Sequence, residues 1–321
     1  MDNTPVVAAS RDLDGSSAPM PVRKFLDCPD GKLSYLEWCV KPGLPALHFA
    51  HANGFNGMTY RQLLSPLAPY FHIRAWDARG HGMSSLTTNP AAHKNWHIYR
   101  DDLVRMSEDF AAANGGPVIL AGHSLGGAAS IMAAGARPDL VRALCLVDPV
   151  MVTLFQRFMF KTLGLLLGKG LSADLAGGAQ RRRALWPDRE TMIKAYQGRG
   201  AFRSWPVNVI ADYVEGGTKA QSDGTITLAC APEWEAANFR AHGHNVYAAI
   251  NELRCPLTLI YAGADTTCRA PAPTRLQAHD PQATILRIGR ASHFLPMEFP
   301  DVVRREMLDL EARLQAMKKD K

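Results

Sequence analysis

The sequence predicts an α/β protein: a mostly parallel sheet with helices on both faces, interrupted by an inserted helical cap. Three observations carry that expectation. Short apolar runs of strand length alternate with helical stretches up to about residue 150. The alternation stops for about a hundred residues from Met151, and it resumes at Pro256. The expected organisation is therefore a flexible leader over 1–21, a core of 22–150 plus 252–321, and a helical cap over 151–251. With 321 residues, 47% of them hydrophobic, the chain can bury one large core and a smaller subdomain.

Taken in order, Arg23 to Cys28 and Leu33 to Cys39 are strand-like and flank Pro29-Asp30-Gly31, a hairpin signal and an antiparallel start. Leu47 to Ala50 is a strand that runs into His51-Ala52-Asn53-Gly54-Phe55-Asn56-Gly57. A loop of this kind at a strand end can turn backbone N–H groups toward a ligand, and Phe55 is assigned that donor role. Tyr60 to Pro69 is expected to be helical. Phe71 to Trp76 is a strand ending in the charged turn Asp77 to Ser84, where Asp77 and Arg79 would satisfy each other and nearby amides.

Trp96 to Asn114 reads as a helix stopped by Gly115-Gly116. The apolar run from Pro117 to Ala121 then meets Gly122-His123-Ser124-Leu125-Gly126-Gly127, and the small-residue run Ala128 to Ala136 opens a helix. A serine squeezed between strand and helix sits on a strained turn, so the positions two before and two after it must lack bulk; both are glycine. Ser124 would stand clear of the sheet's carboxyl edge, and the Leu125 amide at the helix start would face any negative charge forming there.

Ala143 to Val147 is the next strand, capped by Asp148-Pro149. In the cap, Leu154 to Leu171, Arg189 to Gln197 and Pro206 to Val214 look helical. Leu257 to Ala262 is a strand leading to Gly263-Ala264-Asp265, and Ala283 to Ile288 is the last, leading to the loop that holds His293. Pro300 to Lys318 is an amphipathic helix for the outer face.

A serine hydroxyl is a poor nucleophile near neutral pH and needs a base within reach and a group to orient that base. Ser124, Asp265 and His293, each on a loop after a different strand, supply nucleophile, orienter and base in the order serine, acid, histidine. The expected oxyanion donors are the amides of Leu125 and Phe55. The candidate substrate contacts are Asn53, Phe155, Phe158, Trp234 and Phe294.

Other chemistries find less support. Six cysteines show no C-x-x-C spacing, and several lie in apolar runs; they read as reduced thiols in a reducing, cytoplasmic setting rather than zinc ligands or disulfides. Met1 to Met20 has no basic stretch followed by an apolar one, so no secretory signal is expected. The net charge of +6 is scattered, which suits a solvated face and not nucleic acid. The apolar stretch from Phe155 to Leu167 is broken by Arg157 and Lys161 and followed by Lys169, so stable membrane insertion is not expected. Gly168-Lys169 lacks the Ser or Thr and the spacing of a phosphate loop, and His242 and His244 have no carboxylate cluster for a metal.

Five motifs in order, in the loops at residues 51–55, 77–82, 122–127, 263–265 and 291–294, make the chain resemble an α/β-hydrolase of the cap-bearing serine esterase and lipase type. The resemblance runs from about Val22 to the carboxyl end. It implies an eight-stranded core sheet, a Ser124, Asp265, His293 triad and no metal or organic cofactor; the complete triad and the apolar cap point to a small-molecule ester with an apolar acyl or alcohol group as substrate. Lactone, thioester, amide or C–C bond cleavage, and a non-catalytic receptor, are the alternatives. In some family members the acid follows the preceding strand, which keeps Asp148 in reserve. Many members also have His-Gly directly before the donor residue, where this chain has His51-Ala52-Asn53, so the second donor stays open between Phe55 and its neighbours.

Overall fold

The computed structural model describes residues 19–153 and 171–319. Most of the expected leader, the helix expected from Leu154, Phe155, Phe158 and the phosphate-loop lookalike lie outside the described residues.

Eight strands form one sheet: β1 (Val22–Cys28), β2 (Gly31–Trp38), β3 (Ala46–Ala50), β4 (His72–Asp77), β5 (Val118–His123), β6 (Val141–Val147), β7 (Leu257–Ala262) and β8 (Thr284–Ile288). Their spatial order is β1-β2-β4-β3-β5-β6-β7-β8. The hairpin at Pro29-Asp30 makes β1 and β2 antiparallel, with Cys28 opposite Gly31. β2 runs antiparallel to β4, and every pairing from β4 to β8 is parallel.

Successive residues of a strand point to opposite faces, so each buried strand feeds two cores. In β5, Val118 and Leu120 join the cluster under α1 (His97–Asn114) and α2 (Leu125–Ala136). Ile119 and Ala121 join the opposite cluster, with Val303, Met307, Leu310 and Leu314 of the carboxyl-terminal helix Pro300–Lys319.

Between β6 and β7 the chain forms α3 (Leu171–Gln180), α4 (Arg189–Tyr196), α5 (Val207–Gly217), α6 (Pro232–Arg240) and α7 (Val246–Ile250). This segment is not purely helical. Leu185–Trp186, Ile226–Leu228 and Thr218–Ala220 pair as a small antiparallel sheet. Strands of two or three residues are too short to show alternation, which is why sequence periodicity missed them. The segment is anchored to the core by Trp234, only 2% exposed, whose indole donates to the Arg79 carbonyl. Trp234 packs on His93 and against Gly80, so its expected place on a substrate wall is corrected to an anchor. Asn53 serves the same join, donating to the Glu235 carbonyl and accepting from Asn238.

The charged turn after β4 also differs from expectation. Asp77 accepts from the amides of Gly57 and Met83 and pairs with Arg23, whereas Arg79 pairs with Asp30 and Asp102. Both are buried, and each has found partners from another loop.

Candidate active site

Ser124 sits between β5 and α2 at φ 57°, ψ −117°, a conformation few side-chain-bearing residues adopt. Two glycines make the turn possible. A methyl added at Gly122 would lie 2.5 Å from the Gly126 carbonyl oxygen, and one added at Gly126 would lie 2.1 Å from the Ala50 carbonyl oxygen. Gly126→Ala should therefore lower the melting temperature strongly, whereas Gly116→Ala, whose methyl meets nothing within 4 Å, should barely change it. Equal melting temperatures in a thermal scan would contradict this account of the turn.

Backbone bonds carry the elbow to the neighbouring strand end. The Ser124 amide donates to the Val147 carbonyl at 3.2 Å, and the Val150 amide donates to the Ser124 carbonyl at 3.1 Å. That brings Asp148, at φ 42° on the end of β6, next to the serine. His293 reaches in from the loop after β8, which is braced by Glu298 accepting from the amide and hydroxyl of Ser292. His293 Nε2 lies 3.0 Å from Ser124 Oγ, and its Nδ1 lies 2.6 Å from Asp148 Oδ2. The serine and carboxylate are buried, while the imidazole is 18% exposed.

The acid expected at Asp265 is thus corrected: Asp148, held in reserve, occupies that place. The reason lies in the path of the chain after β7. Gly263 and Ala264 donate to the carbonyls of Ile288 and Ala291, which leads Asp265 past the site into solvent. The next two residues then fold back. Thr266 Oγ1 and the Ala262 amide donate to Asp148 Oδ1, and the Thr267 amide donates to Oδ2. Burial alone would raise the Asp148 carboxyl, but the His293 hydrogen bond and charge, with Thr266 and Ala262, hold it below its ordinary range. The expected acid loop instead supplies the donors that keep the true neighbour ionised.

The loop after β3 corrects a second expectation. The Phe55 amide is already donated to the Ala52 carbonyl at 3.1 Å, so Phe55 is not a free donor. The Ala52 amide goes to Tyr60 Oη, that of Gly54 to His81 Nε2 and that of Gly57 to Asp77. Among the described residues of this loop, no partner takes the Asn53 amide. Leu125, at the amino end of α2, has a main-chain N–H that is likewise uncommitted among the described residues, as expected for a helix start.

Phe294 lies beside His293, with ring centroids 5.7 Å apart. It continues into an aromatic cluster with Phe55, Trp205 and Tyr213. Among the described residues no helix is long and apolar enough to cross a membrane, and no group of three His, Cys, Asp or Glu could hold a metal ion.

Fold and site together define a doubly wound parallel sheet carrying a buried serine on a strand-to-helix elbow, with a histidine and a carboxylate beside it. The chain belongs to the alpha/beta hydrolase family, whose model matches residues 49–306, and it is an enzyme of that hydrolase superfamily. It is 25% identical over 258 residues to a 2-(acetamidomethylene)succinate hydrolase of Mesorhizobium japonicum, covering 80% of this chain and 84% of that one. It is 30% identical over 151 residues to the monoglyceride lipase of Homo sapiens, covering 43% of this chain and 48% of that one. A crystal structure of E-2-(acetamidomethylene)succinate hydrolase superposes with a TM-score of 0.73 at 22% identity, over 91% of this chain and 99% of the other, a likeness of fold.

Proposed function

We propose that the protein is a serine hydrolase that cleaves carboxylic esters with an apolar acyl or alcohol group through an acyl-enzyme. The observation that carries this reading is the unbroken contact from Ser124 Oγ through the His293 ring to the Asp148 carboxylate. In it, His293 Nε2 takes the serine proton as Oγ attacks the ester carbonyl, and Asp148 fixes the imidazole with its proton on Nδ1. The amides of Leu125 and Asn53 stabilise the charge on the former carbonyl oxygen, each contributing about 2.7–4 kcal/mol to the lowered barrier. His293 then hands the proton to the departing alkoxide, and a water activated by the same nitrogen hydrolyses the acyl-enzyme.

The substrate class rests on the lining. Phe55 and Phe294, both half-buried, stack beside the histidine with the buried Trp205 and Tyr213 packed against them, which favours an apolar group under a cap made by the segment between β6 and β7. Arg182, the cation that reaches the site loop through Glu235, is already matched by that carboxylate and by the Tyr213 hydroxyl at 2.5 Å. It is therefore spent on structure. The lipase among the relatives supports an ester; the succinate-derivative hydrolase supports a second reading, cleavage of an amide-type bond in a carboxylate-bearing substrate.

A chain-length series of p-nitrophenyl esters assayed beside an acidic enamide separates the two. Turnover of the esters with a preference above acetate, and covalent labelling of Ser124 by a serine-directed phosphonate, is the expected result. No turnover of any member together with no labelling would remove the reading.

A further inference from the structure

The residue before the nucleophile, His123, and the tyrosine that ends the first turn after β3, Tyr60, are both buried. The mechanism above uses neither. His123 Nε2 lies 2.8 Å from the His293 carbonyl oxygen, and His123 Nδ1 lies 2.7 Å from Tyr60 Oη. Tyr60 Oη in turn accepts from the Ala52 amide at 3.1 Å.

These contacts admit a single direction. A carbonyl oxygen can only accept, so the His123 proton resides on Nε2. Full burial, with the nearby His293 adding to it, pushes the imidazole down to about 3, so the ring is neutral and Nδ1 keeps a lone pair. Tyr60 must therefore donate its hydroxyl proton to Nδ1, and its oxygen is left to accept from Ala52. No member can reverse without leaving a buried donor facing a donor.

The ends of this chain matter more than its middle. One end is Ala52, whose peptide unit precedes the Asn53 amide; the other is the main chain of His293, and the centre is attached directly to Ser124. We infer that Tyr60 and His123 are positioning residues that hold the second oxyanion donor and the His293 imidazole in register with the nucleophile. This inference rests on the serine-hydrolase reading and deepens it. Phe49 and Phe55 pack against the Tyr60 ring at 4.5 and 6.4 Å, so removal of the hydroxyl alone leaves the ring's seat intact.

The test compares Tyr60→Phe, His123→Gln and His123→Ala with Thr258→Val. Thr258 is a buried β7 residue whose hydroxyl accepts from Arg313, away from the site, so its loss reports the generic cost of one buried hydrogen bond. In steady-state kinetics on a p-nitrophenyl ester, Tyr60→Phe should lower kcat by about 10- to 100-fold with KM within about twofold. Phosphonate labelling of Ser124 should slow in step. His123→Gln, which keeps a donor toward the His293 carbonyl, should retain more kcat than His123→Ala. Thr258→Val should lose a similar melting temperature and keep its kcat. Active wild type with an unchanged kcat in Tyr60→Phe, or a loss no greater than in Thr258→Val at equal melting temperature, overturns the inference alone. Wild type that neither turns over nor labels overturns the serine-hydrolase reading and the inference with it.

Discussion

Asp148→Asn should lower kcat by about 10⁴-fold while Asp265→Asn stays within about twofold of wild type. Ser124→Ala, measured beside them on the same ester, should lose about 10⁶-fold. The contrast between the two aspartates follows from their surroundings. Asp148 is fully buried and lies 2.6 Å from His293 Nδ1, so an amide there can present a donor to the ring and trap the wrong tautomer. Asp265 is exposed and makes no bond to the histidine. Steady-state kcat on a p-nitrophenyl ester, with melting temperatures to show that each variant is folded, decides the matter. A crippled Asp265→Asn beside a healthy Asp148→Asn would mean that the loops exchange roles during turnover, and the acid assigned above would have to be given up.

Acid should unfold the protein well before its carboxylates are neutralised. Burial pushes His48, His81 and His123 down to about 3 and lowers His51 as well. In the unfolded chain the same rings protonate near 6.5. Between those values the unfolded state binds more protons than the folded one, so stability falls as pH falls. Each of His48, His81 and His123 then costs about 1.4 kcal/mol of stability per pH unit between 6.5 and about 3, and His51 acts in the same direction. Asp102, Asp212 and Glu306, which burial raises, offset part of this because they take up protons more readily when folded.

The chemistry of the loop gives the effect a local meaning. His51 Nε2 accepts the Ala78 amide and His81 Nε2 accepts the Gly54 amide, so a proton on either nitrogen would face an N–H and release the loop that carries Asn53. Melting temperature measured by calorimetry from pH 7.5 to pH 4.5 should decline steeply below about 6. A flat profile across that range would show that these rings are not held neutral in the fold.

Several elements were legible in the residues because their physics is local. The hairpin at Pro29-Asp30, the strand at Leu257 to Ala262 and the helix after Pro300 fall where turn residues and apolar period place them. The elbow was equally plain, since a strained serine demands small neighbours that the chain supplies at Gly122 and Gly126. The short strands at Leu185–Trp186 and Thr218–Ala220 were not legible, because two or three residues contain no period to detect.

The sequence by itself pointed to the serine and the histidine that meet and to the strands they follow, since elbow glycines, turn residues and apolar period are signals carried by residues close along the chain. The tertiary structure decided which carboxylate lies against His293, and that the Phe55 amide is taken while that of Asn53 has no partner among the described residues. The first choice depends on donors far away in sequence, and the second on a local turn bond from Phe55 to Ala52 together with the packing of Tyr60 and His81 against the loop. Thr266 and Thr267 turn back onto Asp148, and Tyr60 and His81 take up the amides on either side of Asn53. A buried polar group takes whichever partner the packed chain brings to it, and that is a property of the fold and not of the local spacing.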